Sequence, residues 1–501
     1  MKAATVELLE PAYSSVSETD LEDAVRLAAS AFPVYRGLAR ERRAEFLRQI
    51  ASSLEGLGES LVERVVDESA LLPGRVRAER DRTCSQLRFF AGIVEEGSWV
   101  DARIDTGDPD RKPAPKPDVR SMLRPLGPVA VFCASNFPLA FSVAGGDTAA
   151  ALAAGNPVVV NAHFSHPGTA EFAGSAIRDA AEATRMPEGV FSVLFSSGQQ
   201  AGQRLVAHSG IRAAAFTGSR EGGLALAEIA HSRAERIPFF AEMSSVNPVF
   251  LLPHAVEQDA ARLAAGLHAS ITLGAGQFCT NPGVLLVPQS PAGDRFTAAL
   301  AEAMKAGEPA CMLNAGIAEN YRRLVSARSR DQRIKTMVFG DAGNRASPAL
   351  FEVGEATFLK VPELAEEVFG PSSLLVRYSG TDEMRALASR MEGNLTATIL
   401  AGPGDEAAAA ELTAILETKV GRILFRGVPT GVEVCQAMVH SGPFPATSDG
   451  RSTSVGGRAI ERFVRPVCWQ DAAQSMLPSE LRTGNPAGIW RVVNGERTRS
   501  A

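Results

Sequence analysis

Apolar positions recur every three or four residues through most of the first hundred, as in "ARERRAEFLRQIASSLEGLGESLVERVV", the period of a helix with one buried face. "TDLEDAVRLAASAF" begins with a capping-box pattern, Thr19 followed by Glu22, so residues 19–97 are predicted to be a helical opening. The pattern then breaks. "DTGDPDRKPAPKPDVRSMLRP" (105–125) carries five prolines among many charges, which suits an extended arm, an exposed hairpin or a plain linker better than a helix.

From Gly127 apolar runs rich in β-branched residues, "GPVAVFCA", "PVVVNA", "FSVLFSS" and "IRAAAFTGS", alternate with helical stretches such as "HPGTAEFAGSAIRDAAEAT" and "REGGLALAEIAHS". Strands that are apolar without alternation are covered on both faces, and helices between them imply βαβ units and a parallel sheet of nucleotide-binding type. A second α/β segment runs from about 248 to 440, and the tail, with "HSGPFPATSDGRSTSVGG", is predicted to be irregular. These shifts divide the chain into a nucleotide-binding α/β segment with its helical opening (1–104 and 126–247), a second α/β segment (248–440) and an arm or linker with a C-terminal segment (105–125 and 441–501).

Composition narrows the class. The 501 residues, 45% hydrophobic and 22% charged, describe an ordinary soluble chain of two or three domains. A net charge of −6 with both signs interspersed argues against nucleic acid or an anionic membrane as partner. The six cysteines are scattered without a CxxC pair, which disfavours a zinc ribbon, a redox dithiol or a disulfide frame, so no metal site is expected and a reducing compartment is. The acidic start and the lack of a long apolar run lead to the expectation of a cytoplasmic protein.

Three stretches carry candidate chemistry. "AAAFTGSREGGLALAEIA" reads as strand, glycine turn and helix, where Gly218, Ser219 and Gly223 would aim amide groups and the positive end of the helix dipole at a pyrophosphate; an ordinary turn has the same pattern. In "RIPFFAEMSSVNPVFLLP", Glu242 ends an apolar run, where desolvation would raise its pKa and make it a usable base; a surface acid is the alternative. In "GAGQFCTNPG" (274–283), glycines let the backbone approach a substrate beside Cys279, whose thiolate is a strong nucleophile; a buried structural cysteine is the alternative. A thiol hydrolase would want a paired histidine, and His440 in "AMVHSGPFPAT" is the candidate.

Together with "CASNFPLAFSVAGGDTAAALAAGNPVVV" and "EEVFGPSSLLV", these motifs resemble the aldehyde dehydrogenase superfamily in order and spacing over nearly the whole chain. "RSMLRPLGPVAVF" and "AIERFVRPVCWQD" look like its bacterial branch of α-ketoglutaric semialdehyde and NADP-type fatty-aldehyde dehydrogenases. The resemblance implies an α/β aldehyde dehydrogenase fold with a Rossmann-like cofactor domain, an α/β catalytic domain and a small β oligomerisation arm. It also implies a homodimer or homotetramer that uses NAD or NADP to oxidise an aldehyde to an acid through a cysteine thioester.

By the same resemblance Cys279 is the nucleophile, the Asn136 amide and the Cys279 backbone N–H hold the oxyanion, and Glu242 activates the hydrolytic water. Ser219 touches the pyrophosphate, Glu367 bonds the nicotinamide ribose and Phe369 packs beside it. Phe137 and Phe141 either line the aldehyde tunnel or pack in the core, and His440 either tunes the thiol or caps a turn. The chain departs from the family at Asn161, where a lysine usually holds the adenosine ribose or its phosphate, at Phe164, and at Gln199 and Gln200, where NADP-type relatives place an arginine. The leading substrate is 2,5-dioxopentanoate; a fatty or general aliphatic aldehyde and a non-catalytic scaffold with a weakened cofactor site are the other readings. An acid substrate needs cationic or amide donors at the tunnel mouth, and a fatty chain needs an apolar slot.

Overall fold

In the computed structural model, which describes residues 1–5, 7–340 and 345–500, the helical opening is Glu18–Tyr35, Arg40–Gly56, Gly58–Ser69 and Pro73–Glu96. The capping box sits two residues earlier than predicted. Ser17, extended at φ −76° and ψ 166°, accepts from the Asp20 N–H, and Asp20 answers on the Ser17 N–H, so Thr19 already belongs to the first turn.

The alternating segment forms a parallel sheet in the order Phe191–Leu194, Val158–Asn161, Val129–Phe132, Ala213–Thr217, Phe239–Glu242. Val158, Val159 and Val160 have no exposed surface, the physical reason their run lacks polar alternation. Connections leave Val129–Phe132 first to one side and then, from Ala213–Thr217, to the other. The carboxyl ends of these two strands therefore flank a crevice of the kind in which dinucleotides bind.

The second α/β segment forms a sheet in the order Lys335–Val338, Ala349–Gly354, Ser372–Tyr378, Val284–Pro288, Val249–Leu251, Asn394–Leu400, Val420–Leu424, parallel except at its first strand. A third sheet joins Val464–Gln470, Val119–Pro125, Arg103–Asp105, Arg491–Val493 and Glu496–Thr498. The tail predicted to be irregular thus supplies three of its strands. Val464–Gln470 has no fully buried residue, which left it without a hydrophobic signature. Among the described residues no helix is long and apolar enough to cross a membrane.

Candidate active site

A cavity of about 460 Å³ opens at the carboxyl ends of the parallel sheet. It gathers Asn136, Gly218, Ser219, Glu242, Cys279, Glu367 and Phe369 on one lining, together with His163, Phe164, Thr217, Met243, Ser244 and Asn314. Larger clefts open elsewhere, one of about 1030 Å³, but their linings do not include Cys279.

Ser219 caps the helix Arg220–Ser232 by accepting from the Gly222 N–H at 3.2 Å, and the Gly218 N–H donates to the Glu242 carbonyl at 3.1 Å, tying the turn to the strand end. A Cβ on Gly218 would come within 2.6 Å of the Phe216 ring, which would have to shift to admit any larger residue. An exposed helix start over an open cavity fits a pyrophosphate. Gly223 differs from its predicted place: it does not line the cavity, and an added Cβ would meet Met243 Sδ at 2.8 Å. Its smallness lets the helix lie against the strand end.

Asn161, at the carboxyl end of its strand, also lies outside this lining, its Oδ1 accepting from the Ser196 hydroxyl at 3.0 Å. His163 and Phe164 after it do reach the cavity, stacked at 4.6 Å between ring centroids. Burial and the neighbouring His166 push the His163 pKa down to about 3, so its ring is neutral at pH 7. Burial likewise raises Glu367 to about 7, against the pull of the Ser244 hydroxyl and the Ser245 N–H.

The loop before the thiol is wound through three successive left-handed residues, Gly274 (φ 56°), Ala275 (φ 58°) and Gly276 (φ 66°). A Cβ on Gly276 would fall 2.2 Å from the Gly370 carbonyl carbon, so this loop and the segment entering the strand Ser372–Tyr378 approach too closely for any other residue. The Asn136 amide donates to the Gln277 carbonyl at 3.0 Å, which fixes it beside the thiol.

Residues that sequence reasoning missed hold this loop from below. Buried Asn247 donates its amide to the carbonyls of Cys279 (2.8 Å) and Asn281 (2.9 Å), and Asn394 Oδ1 accepts from the Val246 N–H (2.9 Å). Asn247→Ala would orphan two carbonyls and remove an asparagine from a left-handed position (φ 46°). A destabilisation of about 2–4 kcal/mol is expected in urea unfolding, together with lower activity. The only sequence signal was an asparagine before a proline, too common to single out.

Cys279, half-buried, has its Sγ 3.4 Å from His440 Nε2, and the same nitrogen is 3.0 Å from Glu242 Oε1. Both partners are buried, and the Ser454 hydroxyl donates to Glu242 Oε2 at 2.8 Å. The predicted rise in the Glu242 pKa is reversed. Burial does push it up, but the interaction with His440 beside it and the Ser454 hydrogen bond outweigh that and hold the carboxyl below the usual range. The thiol moves the other way: burial, then the Glu242 charge and hydrogen bond and the Glu367 charge, raise it well above the ordinary 9.0. Phe137 and Phe141 lie outside the cavity lining, Phe137 packed at 5.3 Å on both Phe141 and Phe278, and Phe141 at 6.1 Å from His440.

A nucleotide crevice whose floor is a thiol beside a carboxylate and an amide is the plan of a nicotinamide-dependent oxidoreductase that works through sulfur. The aldehyde dehydrogenase family model matches residues 7–413, and the chain belongs to that family: it is an NAD(P)-dependent aldehyde dehydrogenase. It is 47% identical over 489 residues to alpha-ketoglutaric semialdehyde dehydrogenase 2 of Azospirillum brasilense, covering 97% of this chain and 93% of the relative. To the alpha-ketoglutaric semialdehyde dehydrogenase of Acinetobacter baylyi it is 45% identical over 492 residues, covering 97% and 93%. Among solved structures, aldehyde dehydrogenase 21 from Physcomitrella patens in complex with succinate superposes with a TM-score of 0.78 at 20% identity over 92% of each chain, which shows the shared fold.

Proposed function

We propose that the protein oxidises 2,5-dioxopentanoate to 2-oxoglutarate, with Cys279 carrying the acyl group. The observation that supports this most is the single cavity in which Cys279, Asn136 and Glu242 meet the Gly218–Ser219 turn; the substrate comes from the similarity to the two semialdehyde dehydrogenases.

Cys279 Sγ adds to the aldehyde carbon, and because the thiol is protonated at rest, its proton passes to His440 Nε2, 3.4 Å from the sulfur, which leaves the Glu242 carboxylate free for the later step. The Asn136 amide, one N–H of which is held by Gln277, offers its second N–H, with the Cys279 N–H, to the oxyanion. A nicotinamide bound in this cavity would supply the acceptor for the hydride that leaves as the carbonyl re-forms. Glu242, already ionised, then takes a proton from the water that cleaves the thioester. Gly218 and Ser219 would hold the pyrophosphate, and Glu367 and Phe369 the nicotinamide end.

Asn161, at the carboxyl end of the strand next to the switch point, would be the residue facing the adenosine ribose. Among the described residues no lysine or arginine lines the cavity, His163 is neutral, Asn161 brings no charge, and Arg204, which lines the neighbouring cleft with Ser196, is already paired with Glu18 at 3.3 Å, so a 2′-phosphate would find little to hold it there. NAD is expected to bind about tenfold or more tighter than NADP in calorimetry; equal or tighter NADP binding would count against this placement.

The enzyme works in the cytoplasm as a homodimer or homotetramer joined through its third sheet, whose outer strands Val464–Gln470 and Glu496–Thr498 present unpaired edges. Residues 1–104 with 126–247 act as the cofactor domain and 248–440 as the catalytic domain. Light scattering on a sizing column reads the assembly. The function is tested by nicotinamide absorbance over an aldehyde panel with each cofactor. Turnover of fatty aldehydes without turnover of 2,5-dioxopentanoate would overturn the substrate.

A further inference from the structure

A five-carbon oxo-acid aldehyde brings a carboxylate to the site, and the cofactor-side cavity has no cation to meet it. Outside that cavity two guanidinium groups converge on one loop, and one of them also packs on Phe141, the ring beside His440. Arg82, on the helix Pro73–Glu96, lies 5.3 Å from the Phe141 ring centroid and donates Nη2 to the Val432 carbonyl at 3.4 Å. Arg422, on the strand Val420–Leu424, donates Nη1 to Gly431 (3.0 Å) and Nη2 to Pro429 (2.8 Å). Both therefore reach the same loop, 429–432, from opposite elements.

Each keeps a buried nitrogen without a partner, Arg82 Nη1 and Arg422 Nε, and among the described residues neither forms an ion pair. Burial pushes both guanidinium groups down, and both respond to the charge of Cys279, which places them in the thiol's electrostatic neighbourhood. Arg82 also feels Glu79, which already accepts the N–H groups of Leu139 and Ala140, and exposed Glu433. The third arginine nearby, Arg75, is turned elsewhere: its Nη2 serves the Asn136 carbonyl, its guanidinium sits over the Phe137 and Phe278 rings, and the thiol is not among the charges acting on it.

Half-buried cations without counter-ions are costly in a free enzyme and would repel an apolar tail; an arriving carboxylate offsets that cost. We infer that Arg82 and Arg422 form the receptor for the distal carboxylate of the aldehyde, and so select an oxo-acid over a fatty chain. The inference rests on the substrate reading above.

The test compares wild type, Arg82→Met, Arg422→Met and Arg422→Lys on 2,5-dioxopentanoate and on pentanal, a chain of equal length without the acid. The ratio of kcat/KM between the two substrates is expected to fall about thirtyfold or more in each Met variant, carried mainly by KM, with partial recovery in Arg422→Lys. Glutarate, added as a competitive inhibitor, is expected to weaken in parallel, a readout that general loosening of the fold would not move selectively. If Arg82→Met does not fold, Arg422→Met decides alone. A wild-type preference for the acid that survives in the folded variants overturns the receptor. A wild type without that preference overturns the substrate reading itself.

Discussion

Cys279→Ala is expected to abolish aldehyde oxidation, lowering turnover by at least about 10⁴-fold while NAD binding stays intact. The sulfur is the atom that must bond to the carbonyl carbon, and its neighbours in the cluster, His440 Nε2 and Glu242 Oε1, are committed to each other at 3.0 Å. Absorbance of reduced nicotinamide measures the loss, and calorimetry checks the retained binding site. Residual turnover above a few per cent of wild type would mean that some other group attacks the aldehyde.

The raised thiol pKa sets the direction of the pH response. With its folded value above the ordinary 9.0, Cys279 is protonated at neutral pH, so its alkylation by iodoacetamide should keep accelerating beyond pH 9 instead of levelling there. The stability tied to this thiol is complete below the unfolded value and is lost as pH rises through the folded one.

Glu242→Gln is expected to strand the acyl group on sulfur. Attack and oxidation still occur once, so mixing enzyme, NAD and aldehyde should give a burst of about one reduced nicotinamide per active site. A steady rate slowed by about 10²- to 10⁴-fold should follow. Glutamine keeps the shape and can still accept from Ser454, so the loss is of the proton acceptor. A linear progress curve with no burst would place Glu242 before the oxidation and not after it. Because the folded carboxyl titrates below its ordinary 4.5, its contribution to stability is present above that pH and disappears as pH falls through the folded value. Urea unfolding between pH 3 and 7 should show wild type losing an advantage over Glu242→Gln on the acid side.

The local patterns carried a large share of the architecture. Unbroken apolar runs such as 158–160 meant strands covered on both faces, and the helical period of the opening meant what it said, because backbone choice and burial are decided over a few neighbouring residues. The glycines around Cys279 were legible too, since a left-handed turn and a close backbone approach leave little choice of residue. Where signals were weak they misled: Thr19 and Ser17 are equally good caps on paper, and the half-exposed strands of the tail look like loop.

What the chain could not disclose by itself is the company each group keeps. Glu242 titrates downward instead of upward because of a histidine near the far end of the catalytic segment and a serine 212 residues away, and the thiol's nitrogen neighbour is 161 residues distant. The Asn247 clasp under the loop and the two arginines that meet at loop 429–432 without an ion pair among the described residues are likewise products of packing. Periodicity records which face of an element is buried. Which charges then share a low-dielectric pocket is decided only when distant elements close on one another, and that is what sets the chemistry.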